Sequence, residues 1–233
     1  MLMKWVDDIF DLLMPRYCAV CGNRLTAGEH WLCSSCLMDL DYTNAHTMQD
    51  NPIEKLFWGI IPVERATSMF FYEGAKTRNI LYKLKYKDKP DIGIYLADNF
   101  SRQLMDYGFF EGMDMIVPLP LHDKRRRVRG YNQSMYIARG VSQATGLPID
   151  AGVVRRMVNN PTQTKTSHSM RKKNVEDIFR LEHPERIEGR HILLIDDVIT
   201  TGATVTECAK ELAKAPGVRI SILSLAYAGE KFY

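Results

Sequence analysis

Several features that would assign this 233-residue sequence to a protein class at once are missing from it. It has no apolar run that approaches the roughly 20 residues needed to cross a bilayer, so no transmembrane segment is expected. It has no internal repeat and no low-complexity run. The net charge is only +3, which is too small by itself to argue for nucleic-acid binding. What remains, 45% hydrophobic and 25% charged residues, is enough for one α/β domain and a small appendage.

Residues 1–15, MLMKWVDDIFDLLMP, predict an amphipathic helix that packs against its own protein. Acidic residues on the polar face argue against a membrane-surface role and against a secretion signal. We therefore expect a cytoplasmic protein, in which cysteines stay reduced. The apolar positions of this helix share one face, and a proline stops the pattern: Leu2, Val6, Ile9, Leu13 and Pro15.

A predicted strand that ends in two carboxylates lies within residues 191–204, HILLIDDVITTGAT. Residues 192–195 form a continuous apolar run, which is typical of a central strand buried on both faces. Asp196 and Asp197 follow directly, and open α/β folds bind their ligands at the carboxyl ends of such strands. The alternative is that the two aspartates form a solvated turn.

Small and hydroxyl-bearing residues follow the carboxylates and favour an anion. They let backbone N–H groups approach a phosphate, and a helix predicted to begin near Ala203 points its positive end to the same place. The adjacent carboxylates would repel that phosphate, so they must serve another part of the ligand. Ribose hydroxyls, with or without a neighbouring Mg²⁺, meet this requirement. The stretch therefore predicts a sugar-phosphate site, with a plain helix cap as the alternative, at Thr200, Thr201, Gly202, Ala203 and Thr204.

Four of the five cysteines form two CxxC pairs near the N-terminus. Cys18 with Cys21, and Cys33 with Cys36, have the spacing of two metal-binding knuckles that close one tetrahedral site. All-sulfur ligation favours a structural Zn²⁺, and iron stays open. Disulfides and unrelated buried cysteines are the weaker alternatives in a reducing compartment.

The most cationic stretch, HDKRRRVRG at residues 122–130, follows a predicted strand at 113–120. A cationic loop at the end of a strand suits a diphosphate or a nucleic-acid backbone. The alternative is an exposed loop whose arginines contact only water. Few aromatic residues interleave the stretch, so a base-stacking platform is not favoured. The candidate anion-binding residues are Arg125, Arg126, Arg127 and Arg129.

Alternating strand and helix patterns predict an α/β fold with a doubly wound, mainly parallel sheet. We divide the chain into the helix at 1–15, a four-cysteine module at 16–50, a linker at 51–65 and the main domain at 66–233, and we expect residues 40–62 to be irregular. Cys208 lies on an apolar helix face and is predicted to be a small core residue. A long polar segment at 153–181 is typical of a functional lid or of disorder.

Several short motifs together resemble the ComF family, which is linked to DNA uptake during transformation. Members of the family join an N-terminal zinc-binding module to a type I phosphoribosyltransferase-like domain. Within this set, IDDVITTGAT is similar to the phosphoribosyl-pyrophosphate (PRPP) motif of type I phosphoribosyltransferases. The motifs are the paired CxxC, Tyr72-Glu73-Gly74, Leu84-Lys85-Tyr86, VPLP at 117–120, RGYNQS at 129–134, Arg171 with Asn174-Val175 and Phe179, and IDDVITTGAT at 195–204.

The resemblance implies roles for the candidate residues. Asp196 and Asp197 would hold the ribose 2′- and 3′-hydroxyls at the catalytic centre, and residues 200–204 would cradle the 5′-phosphate. Residues 119–129 would form the pyrophosphate loop. Residues 155–177 would form a flexible hood, in which Arg171 and Lys172 are candidate ligand contacts. The implied cofactors are structural zinc and Mg²⁺ bound with PRPP.

Two classes of function follow from these motifs. One is a phosphoribosyltransferase that releases pyrophosphate from Mg²⁺-PRPP. The other is a non-catalytic PRPP sensor or competence factor that handles single-stranded DNA through the zinc module and the basic loop, or that binds DNA-uptake proteins. The sequence presents neither an acceptor pocket nor a general base by which to choose between them.

Overall fold

The computed structural model describes residues 15–86, 89–158 and 178–232. Most of the predicted helix at 1–15, and the candidates Arg171 and Lys172, lie outside these residues. No helix within the described ranges combines the length and apolar character needed to cross a membrane. The helices are α1 (Ser34–Met38), α2 (Pro52–Lys55), α3 (Ala75–Tyr86), α4 (Asp91–Asp106), α5 (Asp123–Arg129), α6 (Gln133–Thr145) and α7 (Ala203–Leu212). The strands are β1 (Ala66–Phe71), β2 (Met115–Pro118), β3 (Val154–Arg156), β4 (Phe179–Leu181), β5 (His191–Ile199) and β6 (Arg219–Tyr227).

The central sheet has four parallel strands in the order β1-β6-β5-β2. β5 lies inside it, between β6 and β2. Alternate side chains of a strand face opposite sides of its sheet, so Ile192 and Leu194 join one hydrophobic cluster while Leu193 and Ile195 join the other. All four are buried, which explains why the run is apolar at consecutive positions. The mainly parallel sheet predicted from the sequence is confirmed.

Helices cover both faces of this sheet, as a doubly wound fold requires. α4 and α6 pack together on the face of Leu193, and α7 packs on the face of Leu194. α4 crosses α6 so closely that a side-chain carbon at Gly140 would collide with the Ile94 carbonyl. Cys208 on α7 is fully buried against the sheet, as predicted. β3 and β4 form a separate antiparallel pair.

The four-cysteine module packs directly on α3. Leu25, Leu32 and Leu40 are buried in the same cluster as the apolar face of α3. At its edge, the Asn79 side chain on α3 donates to the Val20 carbonyl at 3.4 Å. The module therefore shares a core with the main domain.

The stretch expected to be irregular, residues 40–62, contains an ordered turn of helix. Asn51 caps α2 in a reciprocal capping box with Glu54, which uses two backbone donors at the helix start. Ile53 and Phe57 are fully buried beneath the face of the sheet that α7 also covers. The expectation of irregular structure was wrong for this part, because a one-turn helix carries too few residues to show a period. The predicted domain boundaries stay predictions.

Candidate functional site

The two aspartates lie where the partners of β5 diverge. β2 makes its last pair with β5 at Pro118–Ile195, whereas β6 stays paired with β5 as far as Ile199. Asp196 and Asp197 therefore extend beyond the end of β2, at the carboxyl edge of the sheet. This is the edge at which parallel α/β sheets bind ligands.

A cleft of about 360 Å³ opens at this edge. Its walls come from every segment that meets there: the end of β1, α3, the chain after β2, α5, the start of α6, β3, and the loop between β5 and α7. The residues that line it are Tyr72, Lys85, Leu119, Pro120, Leu121, Arg125, Arg129, Asn132, Gln133, Ser134, Arg156, Asp196, Asp197, Val198, Thr200 and Thr204.

Asp196 is the most buried carboxylate of the cleft, with 9% of its surface exposed. Its Oδ1 accepts hydrogen bonds from the Asp197 backbone N–H at 2.8 Å and the Ser134 hydroxyl at 3.4 Å. Burial, with the neighbouring Asp197 charge, raises the pKa of Asp196 to about 7, although nearby donors and cations oppose the shift. Burial therefore makes the charged form of this carboxylate costly in the empty cleft.

Asp197 is held by an ion pair with Lys85. The Lys85 Nζ lies 3.0 Å from Asp197 Oδ2, and both side chains are largely buried. Lys85 comes from the last turn of α3, far from Asp197 in the sequence. A ligand hydroxyl that reaches Asp197 must share its carboxylate with this ammonium group.

The loop after the aspartates has the form expected of a phosphate site. Gly202 caps α7 with a φ of +74°, a conformation that favours glycine. A side chain there would also press on the Phe57 ring, 3.3 Å from the position of its first carbon. Thr200 and Thr204 line the cleft, and the N-terminus of the ten-residue helix α7 lies beside them. Thr201 and Ala203 are exposed but do not line it.

The cationic stretch is a helix, which corrects the predicted loop. His122 caps α5, since its Nδ1 accepts from the Lys124 backbone N–H at 3.2 Å. Helical geometry then separates the four arginines. Arg125 and Arg129 line the cleft. Arg126 and Arg127 are exposed and do not line it, and Arg126 lies 3.5 Å from Asp123 in an ion pair.

Arg156 is a cleft residue that the sequence did not single out. It lies on β3, with its guanidinium carbon 5.4 Å from the centre of the Phe179 ring. Burial, and next the charge of Arg125, lowers the pKa of Arg156. Arg125 and Arg156 therefore place two positive charges in one cavity, and such a combination attracts anions.

The four cysteines converge in space. The sulfurs of Cys18, Cys21, Cys33 and Cys36 all lie within 4.8 Å of one another, and those of Cys21 and Cys33 are 3.7 Å apart. A zinc tetrahedron with bonds of about 2.3 Å has edges of about 3.8 Å, so the cluster fits this ion. Backbone N–H groups of Val20 and Cys33 point at Cys18 Sγ, each at 3.4 Å.

The protonation behaviour of the cluster agrees with a cation site. Burial raises the pKa of the Cys18 thiol, but backbone hydrogen bonds outweigh it and bring the value to about 6. Burial, and next the neighbouring thiols, raises the pKa of Cys36 to about 12. The cluster holds a first negative charge easily and resists more, and a divalent ion would remove that repulsion.

Comparison with known proteins identifies the family. The chain is 30% identical over 226 residues to the DNA utilization protein YhgH of Salmonella typhi, an alignment that covers 92% of this chain and 98% of that protein. It is 35% identical over 148 residues to the competence protein ComFC of Bacillus subtilis, which covers 60% of this chain and 56% of that protein. The chain belongs to the ComF family.

Other comparisons of this ComF chain are weaker. No protein-family model matches it. Among solved structures, an adenine phosphoribosyltransferase aligns with a TM-score of 0.41 and 15% identity, over 65% of the ComF chain and 75% of that protein.

Several residues that line the cleft of this ComF chain were not predicted as site residues, and three of them, Lys85, Ser134 and Arg156, interact with the aspartates. Lys85 and Ser134 belong to motifs that carried the resemblance, but nothing in their spacing indicated that they approach the aspartates. Arg156 lies in a polar stretch with no periodic signal. All three reach the cleft through tertiary packing.

Proposed function

We propose that the cleft binds PRPP together with Mg²⁺ and that the protein is a phosphoribosyltransferase. The observation that carries the proposal is the order of groups along the cleft. Two carboxylates in the second half of β5 are followed by a glycine-capped helix N-terminus, and arginines line the same cavity. A ligand that presents hydroxyls to the carboxylates and phosphates to the other groups matches this order.

Each group has a role in the proposed reaction. Asp196 and Asp197 accept hydrogen bonds from the ribose 2′- and 3′-hydroxyls, and Thr200, Thr204 and the start of α7 bind the 5′-phosphate. Arg125, Arg129 and Arg156 then bind the diphosphate.

In the reaction, the bond from ribose C1 to the diphosphate oxygen breaks, and a bond from C1 to the acceptor forms. Bound Mg²⁺ would supply further neutralisation of the leaving diphosphate. Fixed charges aimed at the departing group lower the barrier without reorganisation. Arg171 and Lys172 stay predicted contacts, and we propose structural zinc in the four-cysteine cluster.

Calorimetric titration of Mg²⁺-PRPP tests the proposal. We expect saturable binding by the zinc-loaded wild type and at least a hundredfold weaker binding by the double variant Asp196→Asn/Asp197→Asn, because amides cannot replace two charged acceptors. Asp106→Asn, a change of the same kind at an exposed position of α4, is the control and should bind as the wild type does. A folded wild type that gives no heat with Mg²⁺-PRPP would reject the proposal.

A second function, binding of single-stranded DNA, is favoured by one surface. Tyr82 and Tyr86 on α3 are 51% and 57% exposed, with ring centres 5.4 Å apart. Arg129 lies over the Tyr86 ring at 5.1 Å and donates to its hydroxyl at 3.2 Å. The sequence indicated few aromatic residues among the basic ones, yet α3 brings two of them beside α5. Exposed aromatic rings next to cations are what unpaired bases bind.

We expect Tyr82→Ala/Tyr86→Ala to weaken binding of a fluorescent oligothymidine by about tenfold, since stacking contributes about 1–3 kcal/mol per base. Tyr107→Ala removes an equally exposed ring next to Arg65 and Ala66, at the opposite edge of the sheet, and is the matched control. Equal affinity of all three proteins at 50–100 mM salt, a range in which phosphate contacts are strong, would exclude this surface.

A further inference from the structure

One amide in the wall of the cleft has an unused hydrogen-bond donor. Gln133 is the first residue of α6 and is 2% exposed. Its Oε1 accepts from Arg129 Nη1 at 2.9 Å. Its Nε2 is buried and has no hydrogen-bond partner among the residues that the structure describes. Buried donors in native proteins are rarely left in this state.

The orientation of this amide is determined by its neighbour. An arginine guanidinium offers only donors, so the atom of Gln133 that faces Arg129 must be the carbonyl oxygen. The NH₂ group must then face away from Arg129, and rotating the amide would oppose donor to donor.

The residue before it shows the contrast. Asn132 lines the same cleft, but both ends of its amide are used within the protein. Its Oδ1 accepts from the Ser134 backbone N–H at 3.3 Å, and its Nδ2 donates to the Leu119 carbonyl at 3.0 Å. Asn132 therefore caps the helix, whereas the Nε2 of Gln133 donates no hydrogen bond to the described residues.

The charges around Gln133 indicate which kind of ligand atom would accept a hydrogen bond from its Nε2. Arg129, which holds the amide, and Arg125 line the same cavity. Gln133 lines this cavity with them, so an anionic oxygen bound by these guanidinium groups would lie close to its amide. In the proposed ligand, that oxygen belongs to the diphosphate.

We propose that Gln133 Nε2 donates a hydrogen bond to the diphosphate of PRPP and that Arg129 positions the amide for it. This inference rests on the proposed function. An unpaired buried donor costs free energy in the empty protein, and a ligand that pairs with it relieves this cost. Ligands that lack the diphosphate gain nothing from Gln133, so the residue should contribute to specificity.

Gln133→Met tests the inference, because methionine has a similar length and no hydrogen-bonding amide. We expect calorimetry to show about tenfold weaker binding of Mg²⁺-PRPP and of Mg²⁺-pyrophosphate. Binding of ribose 5-phosphate, which lacks the diphosphate, should change by less than about twofold. Gln143→Met, at an exposed position of the same helix, should leave all three affinities unchanged.

A second variant keeps the test valid if the methionine protein folds poorly. Gln133→Glu preserves an acceptor for Arg129 but presents a negative oxygen where the NH₂ was. It should lose affinity for pyrophosphate more than for ribose 5-phosphate. Equal losses for both ligands in either folded variant would make Gln133 a structural residue and overturn the inference.

The outcomes also separate this inference from the function on which it rests. A wild type that binds neither PRPP nor ribose 5-phosphate overturns both. A wild type that binds PRPP, together with a Gln133→Met protein that binds it equally well, overturns the role of Gln133 alone.

Discussion

Removal of metal from the four-cysteine cluster is expected to unfold the module around it and to weaken the cleft. Extended treatment with a zinc chelator, or the double substitution Cys33→Ser/Cys36→Ser, should abolish zinc binding. Amide hydrogens between residues 16 and 40 should then exchange orders of magnitude faster, because structural zinc contributes on the order of 10 kcal/mol to small modules. Binding of Mg²⁺-PRPP should also weaken.

The reason for the large effect is the small core of the module. Leu25, Leu32 and Leu40 are its main buried aliphatic residues, and they share one hydrophobic cluster with the apolar face of α3. Without the metal, four separate thiols, two of them buried, replace the cross-link, and the chain between them has little else to hold it. A chain this short rarely stays folded without a metal or disulfides.

The effect on the cleft follows from α3. Lys83 and Asn79 on this helix donate to the Ala19 and Val20 carbonyls of the module. The same helix ends with Lys85, which pairs with Asp197. Loss of the module would free one side of α3, and the position of Lys85 would become less defined.

Metal analysis, hydrogen exchange and calorimetry on one preparation measure these effects. Cys208→Ala is the matched control, because it removes a cysteine that lies on the buried face of α7 and outside the cluster. It should retain one zinc ion per chain. Slow exchange throughout residues 16–40 in the metal-free protein would contradict the prediction.

The parts of the fold that could be predicted are those encoded by neighbouring residues. The run Ile192–Ile195, the two aspartates and the start of α7 at Ala203 are contiguous, so strand, edge and helix N-terminus could all be read in order. The cysteine cluster was predictable for the same reason, since the CxxC spacing itself positions two sulfurs.

Other parts could not be predicted because they depend on distant contacts. The charge of α5 suggested a loop, since a helix with no buried residue has no apolar period. Lys85 and Arg156 reach Asp197 and Asp196 only because α3 and β3 end beside β5. Charged residues that interact across such distances in the sequence cannot be recognised from the spacing of residues.

Substitution of Asp196 by asparagine should make the empty protein more stable at pH 8 while it abolishes PRPP binding. The folded protein raises the pKa of Asp196 from 3.8 to about 7, chiefly by burial. Between these values the folded state binds more protons than the unfolded state, so its stability falls as pH rises through this window. Asparagine has no charge to lose. The increase in the free energy of unfolding of Asp196→Asn over the wild type should be near zero below pH 4 and should reach a few kcal/mol above pH 7.

Denaturant unfolding of wild type and Asp196→Asn at pH 5 and pH 8 measures this gain. Asp197→Asn is the informative control, because it leaves Lys85 without its partner and should destabilise the protein at both pH values. The two neighbouring carboxylates would then have opposite effects on stability and the same effect on ligand binding. This difference is typical of a binding site. The charge of Asp196 destabilises the empty protein until a ligand hydroxyl donates a hydrogen bond to it, whereas the charge of Asp197 is stabilised by Lys85. An Asp196→Asn protein that is less stable than the wild type at pH 8 would contradict this account of the cleft.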